Sequence, residues 1–195
     1  MIMEPAKTMN YGIHAATYSD YMLLISPPDE VKELVRKYKL SCAKVIGDFD
    51  GMHSIAHISV TRQHRQMPVT MGQKLDCYQR LTTRLKPIEL RTAGFSYFSH
   101  GRSGFTIYAK IDVNTEVNKW FAHLKRIFGD KQTITPHITI AKNIPPHAFK
   151  ALWPYFVNRE FKHAFIPERL MVLSRPTFNM GDAHWDYFKE LNFGK

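Results

Sequence analysis

A mixed helix-and-sheet protein, of α+β or α/β class and made of two similar halves, is what this 195-residue chain predicts. One observation is a four-residue segment that occurs twice, 80 residues apart: His57-Ile58-Ser59-Val60 and His137-Ile138-Thr139-Ile140. Another is that the same succession of elements surrounds each copy. The third is composition: 44% hydrophobic and 13% aromatic residues suffice for a core and exclude a disordered chain.

The elements run in order along the chain. Tyr21–Ile25 is a compact apolar strand, stopped by Ser26-Pro27-Pro28. Beyond it Val31, Leu34, Val35 and Tyr38 recur at helical spacing, and Pro28-Asp29-Glu30 suits a first turn. The His57 strand comes next, then a helix from about 72 to 85 (Leu75, Tyr78, Leu81, Leu85) and a strand from Ile88 to Phe98. The second half repeats the series. Phe105–Ile111 is a strand; Val117, Trp120, Phe121, Leu124, Ile127 and Phe128 stripe a helix ended by Gly129. The His137 strand, a helix opened by Pro145-Pro146 and a strand over 168–174 complete it. Trp185–Leu191 reads as a terminal strand, with a short helix as the alternative. Residues 1–19 carry no clear periodicity and are expected to be an extension. Residues 20–195 are expected to form a single bilobal domain with half-repeats at about 20–99 and 104–192, since no linker separates them.

Charge and cysteine content bound the partners. Lys and Arg number 27 against 17 Asp and Glu, a formal +10 that suits a polyanionic ligand such as nucleic acid. Eight of these cations fall between Arg62 and Arg102 against only Asp76 and Glu89, the best stretch for an RNA-backbone track; the competing reading is a solvated helix face. Phe95, Tyr97, Phe98 and Tyr108 could stack on a base, although alternation consigns at least half of them to the core. Cys42 and Cys77 form no disulfide framework or zinc ribbon. No signal-peptide-like or membrane-spanning run is evident, so a cytoplasmic protein without membrane attachment is expected.

The repeated segment carries the chemistry. In a strand, alternate side chains share a face, so His57 sits beside Ser59, and His137 beside Thr139, with Ile58, Val60, Ile138 and Ile140 buried behind. Brought face to face, the two pairs would offer two proton-transfer groups and two hydroxyl donors to an oxyanion such as phosphate. Arg62 and Lys142 each lie five residues after a motif histidine. That odd offset turns them to the opposite face unless the strand has ended or bulged.

Two H-x-[ST]-hydrophobic motifs half a domain apart resemble those of the 2H phosphoesterase superfamily, within it the bacterial 2′-5′ RNA ligase and cyclic phosphodiesterase group. The resemblance runs through residues 20 to 192 in element order. It implies two pseudo-symmetric lobes of mainly antiparallel sheet with flanking helices around a central cleft. It also implies hydrolysis of 2′,3′-cyclic phosphates on RNA ends or small cyclic nucleotides, without metal or other cofactor, with His57 as acid and His137 as base. Ser59 and Thr139 would then bind the phosphate, Lys142 and Arg62 would be further phosphate or RNA contacts, and the protein would act as a monomer. Ligation of 2′-5′ linkages in the same site and a non-catalytic RNA-binding module are the alternatives. Ten histidines raise a metal reading, and His53 and His57 have H-x-x-x-H spacing. Position 54 is Ser, however, and no third ligand is placed nearby, so no metal site is expected.

Overall fold

In a computed structural model that describes residues 18–178 and 184–195, eight strands and four helices alternate along the chain. They are β1 (Ser19–Ile25), α1 (Asp29–Ile46), β2 (Ile58–Gln66), α2 (Pro68–Thr82), β3 (Leu90–Ser99), β4 (Phe105–Ile111), α3 (Thr115–Ile127), β5 (His137–Ile144), α4 (Pro146–Leu152), β6 (Ala164–Phe165), β7 (Arg169–Pro176) and β8 (Asp186–Asn192). The fold is α+β, with two four-stranded antiparallel sheets of order β2-β1-β7-β8 and β5-β4-β3-β6. Ser19 opens β1, so the N-terminal extension expected over 1–19 ends earlier than that; residues 1–17 lie outside the described residues. Pro68 occupies the first turn of α2, where its fixed φ is already helical, and starts that helix ahead of the expected position. The terminal segment is a strand.

The sheets do not coincide with the two halves of the sequence. One strand of each half pairs in the other half's sheet: β3 lies beside β4, and β7 beside β1. A short connection explains the first exchange. Residues 100–104 close a tight turn in which the His100 amide donates to the Gly104 carbonyl at 2.9 Å, so β3 folds back directly on β4. Gly104 has φ 106°, and a Cβ there would collide with the Ile144 carbonyl oxygen, so the hairpin reaches β5 only because this residue has no side chain.

Helices cross over as well. Tyr38 of α1 packs in an aromatic cluster with Phe95 of β3, Phe156 and Phe161, at ring separations of 5.2–5.9 Å. Trp120 of α3 meets Phe193 after β8, while Phe128 meets Tyr78 of α2. One contiguous core results, and neither half could be excised with its sheet intact.

Candidate active site

Each histidine is delivered by a loop onto the start of a strand. His57 immediately precedes β2 and His137 is the first residue of β5. Behind them Ile58, Val60, Ile138 and Ile140 are all at most 2% exposed, while both histidines, Ser59 and Thr139 are half-buried. This in–out alternation is what the period of two in the sequence requires.

The two imidazoles are held in the same way. The His57 Nδ1–H donates to the Ile55 carbonyl at 2.8 Å, and the His137 Nδ1–H donates to the Thr135 carbonyl at 2.7 Å. A carbonyl can only accept, so this bond fixes the tautomer and leaves Nε2 as the nitrogen that takes or gives a proton. Burial depresses the basicity of both rings, against the opposing effect of these carbonyls. His57 is lowered further by the charges of Lys39, Arg62 and His137, so a proton on one histidine disfavours a proton on the other. His137 stands in an aromatic cup instead, 5.1 Å from both Phe98 and Tyr108.

A β-bulge occurs at the same place in both strands. Pairing with β1 runs Leu24↔Ser59 and then Leu23↔Thr61, so Val60 is extra. Pairing with β4 runs Tyr108↔Thr139 and then Ile107↔Ala141, so Ile140 is extra. Val60 and Thr61 are accordingly both buried, as are Ile140 and Ala141. The bulge reverses the in–out phase of the residues beyond it and returns Arg62 and Lys142, both exposed, to the face of the histidines and hydroxyls. A cleft of about 820 Å³ has Ser59, Arg62 and His64 in one wall and Phe98, Thr135 and His137 in the other. His57 and Thr139 do not line this cleft; each lies two residues along the chain from one that does, Ser59 and His137 respectively.

Two buried lysines secure the delivering loops, and the reading of the sequence missed both. Lys39, 2% exposed, donates from α1 to the carbonyls of Gly51 and Ser54 and to the Ser54 hydroxyl, each at 2.8 Å. Burial pushes its ammonium down to about 8. Lys125, 3% exposed, reaches from α3 to the Asp130 carboxylate at 3.1 Å. Burial works against charge on Asp130, but hydrogen bonds from the Gln132 amide, the Thr61 hydroxyl and Lys125 outweigh it and hold the carboxyl below its ordinary value. Each lysine is the eleventh residue of its helix and falls four after an apolar stripe residue, Val35 or Phe121. A lysine on an apolar stripe was the available signal.

Each loop also docks on the strand of the opposite histidine. Asp50 bridges to Lys142 and accepts from the Asn143 side-chain amide at 3.2 Å, joining the His57 loop to β5. Asp130 accepts from Thr61 at 2.8 Å, and the Phe128 carbonyl accepts from Gln63 at 3.2 Å, joining the His137 loop to β2.

The other sequence candidates separate. Phe95 and Tyr108 are core residues, Tyr97 packs against Phe149 and Trp153, and Phe98 alone of the four lines the cleft. The cations between 62 and 102 are spread over β2, α2, β3 and the connections between and after them, hence over both sheets. His53 lies exposed in a turn. Among the described residues no three His, Cys, Asp or Glu side chains gather as a metal-binding set.

The sequence profile of the 2′-5′ RNA ligase superfamily matches residues 27–177, a span that includes both histidine motifs. The chain belongs to this superfamily. It is therefore an enzyme of the 2H phosphoesterase kind. Solved structures agree on the fold. TT0787 of Thermus thermophilus superposes with TM-score 0.64 at 14% identity, over 90% of this chain and 99% of that one. LigT of E. coli complexed with 3′-AMP gives 0.65 at 11% identity, over 91% and 99%. A structure described as a phosphoesterase gives 0.59 at 12% identity, over 91% and 99%. No curated protein sequence matches the chain. Among the described residues of this 2′-5′ RNA ligase superfamily member, no helix is long and apolar enough to cross a membrane.

Proposed function

We propose that the protein is a metal-independent cyclic phosphodiesterase that opens 2′,3′-cyclic phosphates on RNA ends or small cyclic nucleotides. The observation that carries this reading is the twin tether. Both imidazoles use Nδ1 on the carbonyl two residues upstream, leaving both Nε2 atoms free for proton transfer at a basic cleft that His137 lines and His57 flanks. Opening the ring requires water to attack phosphorus as the P–O bond to one ribose oxygen breaks. One histidine takes the proton from water, the other gives a proton to the departing oxygen, and a phosphomonoester remains. Following the resemblance, His137 is the base and His57 the acid. Burial and, after it, the nearby cations lower His57 and make its imidazolium a readier donor once the phosphate's negative charge has restored the proton. Ser59, Thr139, Arg62 and Lys142 share the face on which charge gathers in the transition state and donate to the non-bridging oxygens.

E. coli LigT has been crystallised with 3′-AMP and with phosphate, ligands of the charge that such a cleft suits. One chain supplies both histidines, which fits a monomer, and two free cysteines fit a reducing cytoplasm. The test is incubation with 2′,3′-cyclic nucleotides, with and without chelator, following phosphomonoester formation by phosphorus NMR. Turnover indifferent to chelator is expected; turnover that needs added zinc or manganese defeats the two-histidine mechanism. The superfamily match favours one second reading, ligation, in which a 5′-hydroxyl replaces water as the nucleophile. Product analysis on paired RNA ends separates the two.

A further inference from the structure

Beyond the cleft, β2 leads to a cluster that the phosphodiesterase chemistry does not use. His64 lines the cleft, and its ring lies 3.7 Å from the carboxylate of Asp20, which is 6% exposed. Asp20 also accepts from the Arg65 amide and the Thr177 hydroxyl, both at 3.0 Å, and faces the Arg175 guanidinium at 3.4 Å. Around this anchor, guanidinium planes and aromatic rings alternate. Arg65 lies 5.2 Å from the ring centres of both Tyr18 and Phe178, and Arg175 lies 4.6 Å from that of Trp185. Phe178 is 69% exposed, so much of its ring is open to a ligand. Arg65 is one of two non-glycine residues with positive φ among the described residues, at 51°, and it sits where the β1–β2 register shifts a second time.

We propose that this arginine–aromatic cluster binds the nucleotides preceding the terminal cyclic phosphate of a single-stranded RNA. The proposal rests on the phosphodiesterase reading of the cleft. A 2′,3′-cyclic phosphate closes the 3′ end of a strand, so the rest of the strand leaves the cleft in one chemical direction only. The cluster supplies what such a strand presents: flat π-faces for bases, and cations for the phosphates between them. The carboxylate at its centre, Asp20, is buried and held by its own partners. Binding is therefore tolerant of base identity, because stacking and phosphate contacts carry no base-edge code.

The test compares kcat/KM for a 2′,3′-cyclic mononucleotide with that for a short oligoribonucleotide ending in a 2′,3′-cyclic phosphate. The wild type should prefer the oligonucleotide, by roughly tenfold for each stacked base. Phe178→Ala and Trp185→Ala should each bring that ratio towards one, and Phe178→Trp should keep it. Affinity for a 3′-phosphorylated oligonucleotide, measured by fluorescence anisotropy, should follow the same order and fall with added salt. Wild-type kinetics without length preference, or alanine variants that keep the preference, overturn the cluster while leaving the phosphodiesterase reading intact. Should neither substrate be opened, that reading fails, and the anisotropy series still decides the cluster. Displacement of the oligonucleotide by polyglutamate as readily as by polyadenylate would reduce the surface to charge alone and overturn stacking.

Discussion

The loops that deliver His57 and His137 solve one problem with different chemistry. Both end in an imidazole tethered through Nδ1 to the carbonyl two residues back, at 2.8 and 2.7 Å. Both precede a strand that bulges three residues after the histidine, and both are fastened by a buried lysine from the helix before. They diverge in what the lysine meets. Lys39 is satisfied by two backbone carbonyls and a hydroxyl, whereas Lys125 faces a carboxylate that also accepts from Thr61 in the opposite histidine's strand. Backbone geometry is therefore what the two sites share. The means of enforcing it differ, and His57 is left among cations while His137 is left among rings.

The largest effect should come from the shared part. His57→Ala and His137→Ala should each lower kcat/KM by roughly 10²–10⁴-fold, the usual worth of a positioned proton donor or acceptor. The pair can be split with a substrate bearing a nitrophenyl leaving group, which needs no acid. His57→Ala should then recover most of the lost rate and His137→Ala should not, and equal recovery would reverse the assigned roles. Full activity in either variant would end the comparison altogether.

The divergent lysines should separate next, in stability. Lys125→Met strands the Asp130 carboxylate, one-fifth exposed, and should cost about 3 kcal/mol, the lower end for breaking a buried ion pair. In a domain of this size that is roughly 10 °C in Tm. Lys39→Met strands only neutral acceptors and should cost about 1–2 kcal/mol. Calorimetry that ranks Lys39→Met as the more damaging would show that the two clasps are not the neutral and ionic versions described.

Hydroxyl removal is smaller again. Ser59→Ala and Thr139→Ala should each reduce kcat about tenfold, because one hydrogen bond is lost while Arg62 and Lys142 still neutralise the phosphate. A loss equal to that of His57→Ala would show that the hydroxyls carry more of the reaction than proton transfer does.

The smallest effect is a displacement of the pH profile. A depressed base stays neutral to lower pH, which moves the acid limb down; a depressed acid loses its proton sooner, which moves the alkaline limb down. Both histidines are depressed, chiefly by burial, so the kcat/KM bell of the free enzyme should centre below the ordinary imidazole value of about 6.5. Bound phosphate returns protons to the rings, so the kcat bell should lie higher. A kcat/KM maximum well above 7 would show that burial does not govern these rings.

The doubled H-x-[ST] motif, the in–out alternation that buries Ile58, Val60, Ile138 and Ile140, and the order of elements can all be read along the chain. These are readable because side-chain period and propensity are local properties of the chain. The rest is set by contacts between distant segments. Whether Arg62 and Lys142 face the histidines depends on bulges at Val60 and Ile140, and a bulge exists only in the register between two strands. Lys39 and Lys125 signalled themselves only as charges on apolar stripes, and their acceptors come from loops with no period of their own. The exchange of β3 and β7 between sheets follows from hairpin closure and from pairing across more than a hundred residues, as between β1 and β7. A linear pattern carries no term for such long-range choices, because each is settled by which faces remain to be buried once the neighbouring strands have paired.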